Sequence, residues 1–230
     1  MKKFALVLVA VFTVSTVRAQ LFGIGLGYNF NFISPDSLNY IIDEYNKRTF
    51  LTTKMKHVSG VRGLALNLHG SMKNIYWTTA YNWMRARAFA EADDSIRQLR
   101  LKMDTWDLGM GLVLQSGPLI VVPGATIELG NVKTQTRKGD DTDIKKRDWI
   151  TPTSDLNLYS RLFCSIIIGG EQSLLRLFLE PYYRFAFFNI ELIELNKEFN
   201  PGSWILGPPE IRQKFPHFGV RVMLALVLSS

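Results

Sequence analysis

Only one cysteine, Cys164, occurs in the 230 residues, and a lone thiol excludes an intramolecular disulfide framework. Beyond residue 19 no run of eighteen uninterrupted apolar residues exists, so helices cannot be what crosses a membrane here. Strong charge is lacking too. The formal charge of +7 includes Lys2, Lys3 and Arg18, and without those three it falls to +4. No basic stripe is interleaved with stacking aromatics, which removes nucleic acid from the expected partners. Ligand-spaced clusters of His, Cys and carboxylate are missing as well, so neither a metal nor another cofactor is expected.

What is present begins with Met1-Lys2-Lys3, the apolar run Phe4 to Val14, and small residues at Val17 and Ala19. That order describes a cleavable export signal, cut after Ala19. No cysteine follows the cut, which sets a lipoprotein anchor aside. The remainder, 20–230, fits one domain.

Residues 23–32 read GIGLGYNFNF. Even positions are Ile, Leu, Tyr, Phe and Phe, whereas odd positions are only Gly and Asn. A period of two is a strand, and the same alternation returns in 61–69, 75–83, 106–114, 119–129, 158–168, 175–187 and 218–228. The count is eight. Tight turns are expected at Gly70–Asn74, Gln115–Pro118 and Gly169–Ser173, and long connections at 33–57, 88–98, 131–155 and 188–215. In the first long connection Ser34 can cap a helix, Pro35 suits its first position, and Leu38, Ile41, Ile42 and Tyr45 share one face.

Hydrocarbon requires every backbone amide to be paired within the protein, which leaves closed sheets once helices are excluded. The expected fold is therefore all-β: an eight-stranded antiparallel up-and-down transmembrane β-barrel, apolar face outward, with a short helix in the first long loop. Phe22, Trp77, Tyr81, Trp83, Trp106, Tyr183 and Phe187 fall on the outward face, several near strand ends, as interfacial aromatics do. A soluble barrel around a ligand would instead reverse the faces and charge the outer one. The pattern resembles the small eight-stranded outer-membrane proteins of the OmpX and OmpA membrane-domain type. The Val17-Arg18-Ala19-Gln20 junction and the Glu180-Pro181-Tyr182-Tyr183 strand are similar to barrels of Bacteroidota. The resemblance implies a bacterial outer-membrane location and insertion through the barrel-assembly machinery, although the chain departs from the usual terminal Phe or Trp by finishing Leu228-Ser229-Ser230.

By phase, Asp107, Glu128, Glu180, Arg161, Arg176, Arg184 and Arg221 face the interior, with Arg161 directly across from Glu180 if the Gly169–Gln172 turn is centred. Eight strands leave a lumen that side chains fill, so these charges are expected to form a salt-bridged or solvated core and no channel. Arg62, Arg85, Arg87, Arg100 and Lys102 continue the outward phase where three neighbouring strands leave the apolar band. Cations are costly at the membrane midplane and tolerated at its boundary; there they are expected to contact lipopolysaccharide phosphates or to snorkel.

His57-Val58-Ser59 has the types needed for ester hydrolysis. By phase, however, His57 and Ser59 point inward with no evident acid beside them. His69 and His217 are expected to be polar lumen or rim residues, and Asp140, Asp141 and Asp143 a solvated stretch beside Arg137, Lys138, Lys145 and Lys146. Apolar residues around 200–209 are expected either to cover the barrel mouth or to bind something. The function implied is structural or interactive rather than catalytic, in a monomer: binding, adhesion or envelope integrity through the long loops. Lipid A modification and a narrow channel are the alternatives.

Overall fold

The computed structural model describes residues 21–48, 50–93, 95–116, 119–140, 143–169, 173–202 and 211–228. The expected export signal, Asp141 and residues 203–210 lie outside them. In chain order the strands are β1 (Leu21–Ile33), β2 (Gly60–Met72), β3 (Ile75–Ala92), β4 (Ser95–Leu112), β5 (Leu114–Ser116), β6 (Leu119–Gly139), β7 (Ile150–Ile168), β8 (Leu175–Ala186), the two-residue pair β9 (Ile190–Glu191) and β10 (Arg212–Gln213), and β11 (His217–Leu228). Helix α1 spans Asp36–Arg48 and α2 spans Ile193–Phe199.

Eight of these strands close a ring, β5 being a short continuation of β4. Each strand pairs antiparallel with its neighbours, β1 joins β11, and β4 joins β6. A path of paired residues runs from Val227 through Gly23, His69, Thr78, Gly109, Thr126, Arg161 and Arg184 back to His217, ten residues from its start. With strands about 4.8 Å apart and about 3.3 Å per residue, that stagger tilts them about 40° from the axis. Closure leaves no open edge around the circumference, as a sheet in hydrocarbon requires.

The phase read from GIGLGYNFNF holds. Asn29 and Asn31 are buried in the lumen while Ile24, Leu26, Tyr28, Phe30 and Phe32 are exposed outside. On β2 and β3, ten residues separate the outermost apolar residues of the turn end, Met72 and Ile75, from the first exposed cations, Arg62 and Arg85. At the tilt above, ten residues climb about 25 Å, the height of the apolar band on a membrane barrel. All the aromatics named as outward, Phe22 to Phe187, are on this surface and at least partly exposed.

Close approach explains one glycine. A Cβ on Gly63 would lie 1.6 Å from the Trp83 carbonyl oxygen, so only a residue without one lets β2 and β3 pair there.

Two expected long loops are mostly strand. β3, β4, β6 and β7 run for 18 to 21 residues, against 12 or 13 for β1, β2, β8 and β11. The connection placed at 88–98 narrows to the turn after Ala92, and the one at 131–155 to residues 140–149. These four strands thus raise a wall above the apolar band. What sustains them there is a second core: Ala88, Ala90, Leu99, Leu101, Met103 and Val132 on the wall pack with Leu38, Ile41, Ile42 and Tyr45 of α1 and Leu195 and Phe199 of α2. The α1 face is the one expected. Helix α2 was not foreseen; its only sequence signal is the Leu192, Leu195, Phe199 spacing of one helical face.

The short turn between β2 and β3 contracts to Lys73–Asn74, with Lys73 at φ 55°.

Candidate functional site

The barrel interior has three storeys. Nearest the short turns, Tyr76, Ile120, Val122, Phe163, Ile167, Phe178 and Met223 form an apolar floor. The uppermost storey is the capped core beneath α1 and α2. Between them lies an ionic layer, in which Arg161 is the hub. Its Nη2 is 3.2 Å from Asp107 Oδ2, its Nε 2.9 Å from Glu128 Oε1, and its Nη1 3.2 Å from Glu180 Oε1. Arg221 reaches the same Asp107 oxygen at 3.1 Å and Glu180 Oε1 at 3.6 Å, while Arg184 holds Glu128 Oε2 at 2.8 Å. Three acids face three bases, and all six are buried.

The asparagine face belongs to this layer. Asn82 Nδ2 donates to Asp107 Oδ2 at 3.1 Å, Asn29 Nδ2 donates to Asn82 Oδ1 at 3.0 Å, and Arg221 Nε donates to Asn29 Oδ1 at 3.1 Å. Ser165 Oγ donates to Glu180 Oε2 at 2.6 Å. The Tyr182 ring lies 5.0 Å from the Arg161 guanidinium. Sequence phase placed these residues inward but gave no reason to join them to the charges.

One expectation changes. Arg161 stands opposite Arg184, not Glu180. The connection after β7 is longer than a centred turn, which slides β8 by four positions; the Arg161–Glu180 ion pair survives because the guanidinium reaches along the lumen. Arg176 also faces inward, nearer the short turns and opposite Ala225. His69 and His217 are both buried lumen residues, as expected. No cluster of three metal-ligating side chains occurs among the described residues, and Asp143 pairs with Arg147 at 3.3 Å.

Outside, the five expected cations occupy one band. Register sets Arg62 opposite Arg85, Arg85 opposite Lys102, and Lys102 opposite Lys133, while Arg87 is opposite Arg100. Like charges directly across a strand pair are destabilising, so this collar concentrates like-charge repulsion on one side of the barrel. Its members differ in how far they are satisfied. Lys102 Nζ is 2.8 Å from Asp104 Oδ2. Arg100 Nε donates to Gln135 Oε1 at 2.8 Å and lies 4.0 Å over the Trp149 ring, which Arg137 also covers at 4.5 Å. Arg100 sits above the apolar band, where burial, and then the charges of Arg85, Arg87 and Arg137, lower its pKa from the usual value. Lys133, Arg137 and Trp149 extend the collar beyond the residues the sequence suggested.

Beside Arg62, Arg85 and Arg87 opens a groove of about 400 Å³, lined also by Phe30, Phe32, His57 and Ser59. Here the inward phase expected for His57 and Ser59 is wrong: both are exposed and Val58 between them is buried. The regular phase of β2 starts only at Gly60. Before it the chain is laid along α1 by two amide clasps. Asn39 bonds the Val58 N–H at 2.9 Å and its carbonyl at 3.2 Å, and Asn46 bonds the Met55 N–H at 3.0 Å and its carbonyl at 2.9 Å. One helical turn from each, Asp43 Oδ1 meets His57 Nε2 at 2.8 Å, an acid partner that sequence alone did not reveal. Among the described residues no hydrogen bond joins Ser59 to His57, so the three do not form an assembled relay.

No family model and no curated protein matches the chain. Among solved structures it is similar to Ail, the attachment invasion locus protein of Yersinia pestis, at 8% identity and TM-score 0.48, covering 92% of this chain and 100% of that one. It is also similar to Neisserial surface protein A at 7% and 0.44, covering 89% and 96%, and to a major outer membrane protein from Thermus thermophilus at 10% and 0.46, covering 90% and 99%.

Proposed function

We propose that the chain is a closed, non-conducting β-barrel of the bacterial outer membrane that serves as a monomeric scaffold for surface interaction. The observation that carries this reading is the charge-balanced layer around Arg161. An aqueous pore needs a continuous polar path, and here apolar storeys lie on both sides of an ionic one whose three acids and three bases pair with each other. The 25 Å apolar band supports lipid outside, and the wall of β3, β4, β6 and β7 carries the long-connection end clear of it. Export through the signal of residues 1–19 and insertion by the barrel-assembly machinery belong to the same proposal. So does contact between the collar of Arg62, Arg85, Arg87, Arg100 and Lys102 and lipopolysaccharide phosphates.

Planar-bilayer recording tests the closed lumen: purified protein is expected to give no stable single-channel steps, and large steady conductance overturns the reading. The outward Asp43–His57 pair beside Ser59 favours a second reading, hydrolysis of lipid acyl esters at the membrane surface. Mass spectrometry of lipid A from cells with and without the chain separates the two. An unchanged acylation pattern is expected for the scaffold; a shift lost on Ser59→Ala establishes the enzyme.

A further inference from the structure

We infer that the groove between the tops of β1, β2 and β3 is a seat for one phosphorylated, acylated glycolipid, whose phosphate is held by Arg62, Arg85 and Arg87 while an acyl chain descends over Phe30 and Phe32. This deepens the collar contact proposed above and rests on the outer-membrane placement. Three observations carry it. First, these three guanidiniums have no described ion-pair or hydrogen-bond partner, whereas Arg100 and Lys102 of the same collar are engaged by Gln135, Trp149 and Asp104.

Second, Arg62 and Arg85 are directly opposite each other on paired strands. Two unpaired cations in that relation repel, and a bound phosphate turns the repulsion into shared, bidentate attraction. No acidic side chain lines the groove itself, and the Asp43 carboxylate at its rim is engaged by His57.

Third, the groove changes character along the barrel axis. Phe30 and Phe32 are exposed on the outward face at the top of the apolar band. Arg62 pairs across from Phe30 at that same boundary, and Arg87 lies two residues higher on β3 than Arg85. Hydrocarbon below and phosphate above is the profile of a lipid crossing the interface; a soluble anion has no use for the aromatic floor. His57 and Ser59 on the rim offer hydrogen bonds suited to sugar hydroxyls, and the Asn39 and Asn46 clasps hold that rim in place before the lipid arrives.

The test uses the full mature chain in detergent micelles, with bisphosphorylated lipid A, the same lipid stripped of phosphate, and inorganic phosphate as probes. Equilibrium binding is measured for wild type, the triple variant Arg62→Gln/Arg85→Gln/Arg87→Gln, and the double variant Arg100→Gln/Lys102→Gln, each checked for heat-modifiable gel mobility as proof of folding. The triple variant is expected to lose at least about tenfold in lipid A affinity, given the strength of charge-assisted hydrogen bonds. The double variant is expected to stay within about twofold, and dephosphorylated lipid A is expected to bind wild type no better than it binds the triple variant. Equal losses in both variants overturn the seat but leave the general collar standing; no loss in either overturns both. Competition by inorganic phosphate at the potency of lipid A also overturns the seat, because it removes the acyl floor from recognition.

Discussion

Replacing Arg161 with methionine removes the hub of the ionic layer while keeping an unbranched chain of similar length. Arg161 is fully buried and holds three carboxylates at 2.9 to 3.2 Å. At an effective dielectric near 20, each such contact at about 4 Å between charge centres is worth about 4 kcal/mol before desolvation is counted. The variant keeps the acids in place but leaves them with only Arg184 and Arg221. Breaking a buried ion pair from one side costs about 3–5 kcal/mol, and that is the expected loss here. The assay is urea unfolding in detergent or lipid vesicles, with the midpoint compared at constant slope. Arg161→Met combined with Glu128→Gln restores equal numbers of charges, so the double variant is expected to be more stable than the sum of the two singles by at least about 1.5 kcal/mol. A single-variant cost below about 1 kcal/mol, or simple additivity, is incompatible with a dry, mutually dependent ion-pair layer. Either result means that water already solvates the layer.

Gly63→Ala is expected to cost several kcal/mol or to prevent folding, because its Cβ would meet backbone at 1.6 Å, whereas Gly27→Ala, whose nearest neighbour would be 3.1 Å away, is expected to cost far less; gel mobility shift and urea midpoints decide between them. Leu66→Arg, in the middle of the apolar band, is expected to lose about 2–4 kcal/mol in vesicles, and a neutral outcome there argues against lipid at that face. Arg97 lies over the rings of both Tyr45 and Phe199, which also touch each other, and donates to the Glu198 carbonyl oxygen at 2.7 Å. Arg97→Ala is therefore expected to raise amide exchange and proteolysis in α2 while leaving conductance absent, since the ionic layer below is untouched; new channel steps in this variant contradict the three-storey lumen.

The alternation of two and the eight repeats of it were legible because a strand's faces depend only on neighbours along the chain and on the solvent outside. That local rule placed Asn29, Asp107, Arg161 and Glu180 inward and Leu26, Leu66 and Arg85 outward, and it marked the buried face of α1 as well. It failed where phase is set by something other than a strand, as at His57 and Ser59, whose orientation depends on the Asn39 and Asn46 clasps from a helix above them.

Register was likewise out of reach. Sliding β8 by four positions preserves every inward and outward assignment, so sequence pattern could not tell Arg161 opposite Glu180 from Arg161 opposite Arg184. Nor could it see that 88–92, 95–98 and 131–139 remain strand, since the residues that stabilise them, Leu38, Ile42, Leu195 and Phe199, arrive from distant loops. The chain by itself settled the barrel, its apolar outer side and the signs of charge within, because those follow from local period and residue type. Which charges touch, where the wall ends and which cations stay unpaired were decided only in three dimensions, because each depends on pairing partners far apart in sequence.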